Sequence, residues 1–182
     1  MSSDNSELAM AFPMSVREDA LSLASVLPRP RLTAYTFPVS VGNELLQIPY
    51  RIYHEVGQID WILLTGLQSE LLDCLLTRHH DGHIREAHLR KILGKNDEWI
   101  PPFVVQLVGE YVIEILSVIQ VGLRQLDRDI YRAFLISNPE FFKQIKQRVT
   151  SYRNCYYPHV EESAYVGFEI IRFLDGLIGA NQ

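Results

Sequence analysis

The chain has 182 residues, of which 47% are apolar and 21% are charged; this balance is ordinary for a folded domain and excludes disorder of the whole chain. The formal net charge is −5 at pH 7. Because nucleic acids and anionic membrane surfaces are bound through clustered Lys and Arg, the charge argues against a nucleic-acid partner and against membrane binding.

The first residues show no sign of an export signal. Residues 1–7 are polar and acidic, and the start of the chain has neither a basic segment nor an apolar segment with a cleavage site. We therefore expect a cytoplasmic protein in which residues 1–15 are disordered and residues 16–182 form one helical domain with an N-terminal β-hairpin.

The hairpin is predicted from turn residues and prolines in the first third of the chain. Segments rich in Thr, Tyr, Val and Ile lie on either side of Gly42-Asn43, a pair that favours a tight turn. The pattern predicts a hairpin over about residues 32–54. Pro38 and Pro49 cannot donate to a neighbouring strand, so they restrict its two strands to sheet edges.

From about residue 59 onward the pattern becomes helical, with apolar residues recurring at steps of three and four. Thr65 and Gln68 stand in the register of a capping box, which marks the start of a helix. The predicted fold class is therefore mainly α, a compact multi-helix bundle with the small hairpin at its N-terminal end.

The most apolar stretch, residues 103–123, is predicted to be the central helix of that bundle. It is long enough to cross a bilayer, but each of its two carboxylates would cost about 2.5–3.5 kcal/mol at the bilayer centre. A buried helix in a bundle fits better. Its polar residues recur at helical steps and form one line along it: Gln106, Glu110, Glu114, Ser117 and Gln120.

Glu110 and Glu114 are four residues apart, which on a continuous helix places both carboxylates on one face, about 6 Å from each other. At an effective dielectric constant of about 20 their repulsion is roughly 3 kcal/mol, enough to keep one carboxyl protonated unless a cation pairs with it. Two interpretations stay open. The glutamates form ion pairs with arginines of other helices, or they bind a ligand or metal.

The densest group of titratable residues lies in the segment 78–83. His79, His80, Asp81 and His83 carry imidazole and carboxylate groups, which are common ligands of divalent transition metals. These four residues are therefore candidate metal ligands. The alternative is a turn between helices whose histidines are solvated or bond to backbone carbonyls, and no other cofactor is expected.

Tyrosines cluster around Cys155. Tyr152 and Tyr156 continue the apolar face of their helix, which favours core packing; the alternative is a ligand pocket lined by their hydroxyls. Cys74 and Cys155 both lie in apolar or aromatic runs and are expected to be buried thiols.

Residues 67–93 resemble a HEAT-type helical hairpin. The resemblance rests on five residues: Asp81, Ile84, Arg85, Ile92 and Leu93. In that family the Asp and the Arg stabilise the turn between the two helices. The resemblance implies HEAT-like packing of this one hairpin and protein binding through a helical surface. The same stretch also fits a helix-turn-helix, but the acidic balance of the chain argues against DNA binding.

The sequence contains no nucleophile elbow, phosphate-binding loop or dinucleotide fingerprint. The predicted function is therefore a non-enzymatic protein-interaction or regulatory module that binds a protein partner or associates with itself. One alternative is a metal-dependent hydrolase that uses residues 79–83. The other is a small-ligand binder with a pocket beside the central helix, lined by Glu110, Glu114, Tyr152 and Tyr156.

Overall fold

The structure is a computed structural model, and it describes residues 5–32 and 35–179. Residues 1–4 of the segment expected to be disordered and residues 33–34 of the predicted hairpin lie outside the described residues. The fold is mainly helical with one small antiparallel hairpin, as predicted. The chain divides into two compact units, and the division falls after Ile92. That they form one domain stays a prediction.

The first unit begins with two 3-10 helices, Asn5–Ala11 and Met14–Val16, followed by helix α1, Arg17–Val26. The first 3-10 helix lies in the segment expected to be disordered, yet it contacts both α1 and the second strand of the hairpin. Its buried residues explain this packing, since they offer an apolar face: Leu8, Ala9 and Ala11.

The predicted hairpin is confirmed. Strand β1, Thr36–Val41, pairs antiparallel with strand β2, Glu44–Pro49, and Gly42 takes the left-handed conformation that the turn requires, with φ 56°. Among the described residues the sheet has two strands, so each strand has an open edge. The pairing register places the backbone nitrogens of Pro38 and Pro49 on these outer edges, where the sheet loses no hydrogen bond.

Helices α2, Gly66–Leu76, and α3, Gly82–Ile92, complete the first unit and pack on each other. The predicted capping box is present at the start of α2. The Thr65 hydroxyl accepts a hydrogen bond from the backbone N–H of Gln68, and the Gln68 side chain accepts one from the backbone N–H of Thr65. A 3-10 turn, Trp61–Leu63, precedes this cap.

The second unit is helical throughout its described elements. These are α4 Pro101–Val108, α5 Ile113–Gly122, α6 Arg128–Ser137, α7 Pro139–Tyr156 and α8 Val166–Gly179. Every residue of α4 is buried, and α4 contacts each of the four helices that follow it. The core of this unit therefore lies around α4.

The continuous central helix predicted over residues 103–123 is wrong, because α4 and α5 are separate helices. The backbone leaves the helical conformation after Gly109 and is extended at Val112, with φ −80° and ψ 107°. A Cβ on Gly109 would lie 3.2 Å from side-chain carbons of both Ile145 and Arg148. The close approach of α7 therefore leaves little room for a side chain where α4 ends. None of the described helices combines the length and apolarity that a membrane crossing needs.

Candidate functional site

Three of the four candidate metal ligands, His79, His80 and Asp81, lie in the turn between α2 and α3, and His83 lies in the first turn of α3. The turn is hydrogen-bonded to the chain that follows β2. The Ile52 N–H donates to the Arg78 carbonyl at 2.9 Å, and the His80 N–H donates to the Ile52 carbonyl at 3.1 Å. The buried Arg78 guanidinium donates to the carbonyls of Pro49 and Tyr50. These contacts tie the helical turn to the end of the hairpin.

His79 is held by backbone groups at both ring nitrogens. Its Nε2 lies 2.9 Å from the His54 carbonyl oxygen, and its Nδ1 accepts the backbone N–H of Asp81 at 3.1 Å. These contacts select the neutral tautomer with the proton on Nε2. Burial lowers the pKa of His79, which favours the same neutral form. Neither nitrogen is left for a metal in this arrangement.

Asp81 and Arg85 hold the same turn from the side of α3. Asp81 Oδ1 accepts the backbone N–H of His83 at 2.8 Å, and this hydrogen bond lowers the pKa of the Asp81 carboxyl. The Arg85 guanidinium donates to the carbonyls of His79 and His80, both at 2.9 Å. The acid and the arginine therefore stabilise the turn between α2 and α3.

Metal-ligand geometry is absent from the part of the chain that the structure describes. No three or more His, Cys, Asp or Glu side chains there converge in a way that could hold a metal ion. The ring of His80 stacks on Tyr53, with centroids 5.3 Å apart. The geometry thus favours the alternative interpretation, a turn whose histidines bond to the backbone or stack. A divalent metal at these residues stays a prediction.

His54 is a buried titratable residue that the sequence analysis did not select. Its Nε2 lies 3.0 Å from Asn5 Oδ1, and its Nδ1 is buried without a hydrogen-bond partner. Burial, and then the charge of His79, lowers the pKa of His54 to about 4. Asn5 also donates to the carbonyls of Leu27 and Pro28. The side chain of Asn5 therefore connects the neutral His54 ring to the chain after α1.

A second group missed from the sequence joins α2 and α3 to the turn before them. Asp73 Oδ1 lies 2.6 Å from His88 Nδ1 and 3.1 Å from Lys91 Nζ. The Trp61 indole stacks on the His88 ring at 5.7 Å, and the Lys91 ammonium lies 5.0 Å from the indole centroid. Residues of three elements meet here, so no local spacing indicated the group.

The prediction that Glu110 and Glu114 share one helix face is wrong, because the break between α4 and α5 separates them. Glu110 is buried in the connecting segment, whereas Glu114 is exposed in the first turn of α5. The estimate of their mutual repulsion assumed a continuous helix and does not apply. Both residues remain predicted ligand contacts, but not as a pair.

An aromatic group, here named the tyrosine cluster, consists of Tyr111, Tyr152 and Tyr156. Tyr111 stacks on Tyr156 with centroids 5.0 Å apart and meets Tyr152 edge-on at 5.8 Å. Tyr111 is 46% exposed and Tyr156 is 57% exposed. Core packing is therefore wrong for Tyr156. The buried face of α7 has its last buried residue at Val149, and the end of the helix extends beyond the core.

Tyr157 fixes the segment that carries Tyr111. Its hydroxyl donates to the Tyr111 carbonyl at 2.8 Å and accepts a hydrogen bond from the backbone N–H of Ile113. Burial raises the pKa of Tyr157, and the nearby carboxylate of Glu114 raises it further. One hydroxyl thus bridges the helix break, and the carboxylate of Glu114 lies near that hydroxyl.

The chain after α7 folds back against the end of the helix. The Arg153 guanidinium donates to the Val160 carbonyl from both Nε and Nη2, and to Asn154 Oδ1 from Nη1. Cys155 is exposed, so its predicted burial is wrong, whereas Cys74 is buried as predicted. The aromatic run around Cys155 lies at the surface and does not cover the thiol.

Comparison with protein-family models, with curated proteins and with solved structures finds no match to this chain. The HEAT-type resemblance therefore rests on the residues that carry it. The site must be interpreted from its own geometry. That geometry includes exposed aromatic rings that are already stacked on one another.

Proposed function

We propose that the chain is a non-enzymatic protein-interaction module and that the tyrosine cluster is its contact surface. The observation that supports the proposal is the exposure of two stacked rings, 46% for Tyr111 and 57% for Tyr156. Tyrosine is among the residues enriched at interfaces and in their energetic hot spots.

The tyrosine cluster is preorganised, which favours binding. Tyr111 is positioned by the hydroxyl of Tyr157, and its ring already stacks on Tyr156. Ordering a free side chain at an interface costs about 0.5–1.5 kcal/mol, and rings that are already packed avoid part of that cost. A partner that covers both rings therefore gains from burying apolar surface while it orders little.

The two alternative functions have weaker support. A hydrolase that uses residues 79–83 would need imidazoles free to coordinate, and His79 is bonded to backbone at both nitrogens. A small-ligand binder would need its four proposed contacts to surround one ligand. The break between α4 and α5 instead leaves Glu110 buried and Glu114 exposed.

Selection from a phage-displayed library of random linear peptides, panned on the full chain, tests the proposal. Selected peptides should bind the wild type and lose at least about tenfold in affinity, or about 1.4 kcal/mol, toward the Tyr111→Ser/Tyr156→Ser variant. Tyr35→Ser is the matched control, because Tyr35 is 88% exposed and lies in the other compact unit.

Thermal unfolding of the three proteins provides the folding control, since removal of exposed rings should leave most of the core intact. The proposal is contradicted if every selected peptide binds the double variant as tightly as the wild type. It is equally contradicted if panning enriches no peptide for the wild type.

A further inference from the structure

We infer that the partner segment is cationic, with an arginine or lysine side chain placed over the exposed ring of Tyr156 and facing the carboxylate of Glu114. This inference rests on the proposed function and specifies the partner's chemistry. The occupant is a basic segment of another protein.

The first argument is the nature of the exposed surface. The face of an aromatic ring carries a negative quadrupole, so a cation within about 6 Å of its centroid is attracted to it. Guanidinium groups also stack flat on such rings. Tyr156 is 57% exposed, and Tyr111 is stacked on one face of its ring with centroids 5.0 Å apart.

The second argument is the charge around the tyrosine cluster. Glu114 is exposed and acts electrostatically on Tyr157, whose hydroxyl is bonded to the Tyr111 carbonyl. Glu161 and Glu162 are also exposed. They follow Val160, whose carbonyl accepts a hydrogen bond from Arg153 at the end of α7.

The cation at the end of α7, Arg153, is already engaged. The Arg153 guanidinium donates to the Val160 carbonyl and to Asn154. Glu114, Glu161 and Glu162 present exposed carboxylates on the neighbouring segments. Complementary charge steers association and disfavours partners of the same sign, so an acidic or phosphorylated segment is disfavoured here.

The same charge argues against a second copy of this chain as the occupant. A two-fold contact places a surface patch against its own copy. The exposed glutamates would then face one another across the interface, and this like-charge contact is unfavourable. A basic partner removes that repulsion and supplies the cation that the rings attract.

Two synthetic peptides test the inference: one of alternating Arg and Gly, and its analogue with citrulline in place of each Arg. Citrulline keeps the planar shape of the side chain and removes the charge. Isothermal titration of the full chain should show binding of the Arg peptide that weakens with added salt. The citrulline peptide should bind at least about tenfold more weakly, since several cation contacts are lost together.

Variants of the chain assign the contact. Glu114→Gln and Tyr156→Leu should each weaken the Arg peptide by about two- to fivefold, the range for single exposed ion pairs and cation–aromatic contacts. Glu18→Gln and Tyr35→Leu are the matched controls, because both residues are exposed and lie in the first unit. They should leave the affinity unchanged.

The outcomes separate this inference from the proposed function. If peptides selected by panning need Tyr111 and Tyr156 but are not enriched in Arg or Lys, the inference fails and the proposed function stands. If the citrulline peptide binds as tightly as the Arg peptide, the inference likewise fails and the proposed function stands. If sedimentation shows a dimer that Tyr156→Leu dissociates, a second copy is the occupant and the inference is overturned. If no binding depends on the tyrosines, both fail.

Discussion

Acid should destabilise the first unit through His54, and His54→Gln should remove that sensitivity. The neutral ring is buried, with Nε2 near Asn5 Oδ1 and Nδ1 without a partner. Protonation would place a charge in this apolar site without an acceptor for the second N–H. The glutamine amide keeps a donor for Asn5 and does not titrate in this range.

The sign and size follow from the pKa of His54, which is lowered to about 4 from an ordinary value of 6.5. Between those values the unfolded chain binds a proton that the folded chain excludes, so the free energy of unfolding falls as the pH falls. The contribution is intact above about pH 6.5. From pH 7 to pH 4.5 the loss is about 2 kcal/mol, and it is complete below pH 4. The pKa of His79 is lowered as well, and this adds a loss of the same sign.

Urea unfolding of both proteins at pH 7, 6, 5 and 4.5 measures the effect. Carboxylates titrate near the lower end of this range in both chains, so the quantity of interest is the difference between the two proteins. The wild type should lose about 2 kcal/mol more than His54→Gln between pH 7 and 4.5. Parallel curves for the two proteins would refute the reasoning, because they would show that His54 titrates alike in the folded and unfolded chains.

Two further predictions concern the second unit. A Cβ at Gly167 would lie 2.7 Å from Tyr165 and 2.9 Å from Val149, so Gly167→Ala should lower the free energy of unfolding by about 1–3 kcal/mol. A Cβ at Gly176 would have nothing within 4 Å, so Gly176→Ala in the same helix should raise it by about 0.5–1 kcal/mol. Denaturant midpoints of the two variants measure both effects. Tyr157→Phe removes the hydroxyl that bridges the helix break and should cost about 1 kcal/mol; amide hydrogen exchange should quicken at Ile113, and unchanged exchange there would contradict the bridge.

Local signals in the sequence predicted the elements that are stabilised locally. The hairpin follows from the Gly42-Asn43 turn, and the start of α2 follows from the capping box at Thr65 and Gln68. In each case the residues that form the contact are close together in sequence. A pattern of neighbouring residues is then enough, because no distant chain is needed to satisfy it.

The helix break could not be predicted in the same way. Gly109 is a poor helix former, but an isolated glycine in so apolar a run is compatible with a continuous helix. In the fold, Ile145 and Arg148 approach to within 3.2 Å of the position that a Cβ would occupy on Gly109. That contact depends on tertiary packing, and the pattern of residues 103–123 alone does not indicate it.

The candidate site shows the same division. The segment 78–83 was found because its titratable residues are adjacent in sequence. Its hydrogen-bond partners Pro49, Tyr50 and Ile52 come from the end of the hairpin. Tyr152 and Tyr156 were selected from their spacing, whereas Tyr111 was missed because it comes from the connection before α5. The sequence therefore located parts of both groups, and the fold determined which parts share a surface.

The helix break itself accounts for the tyrosine cluster. An α-helical Tyr111 would lie within the apolar run, with its carbonyl bonded to a residue four positions later. The extended connection instead frees the Tyr111 carbonyl and the Ile113 N–H, and the Tyr157 hydroxyl satisfies both. The same connection places the Tyr111 ring on Tyr156. The extended connection therefore has two results. Its backbone groups find hydrogen-bond partners, and the rings of the proposed contact surface are brought together.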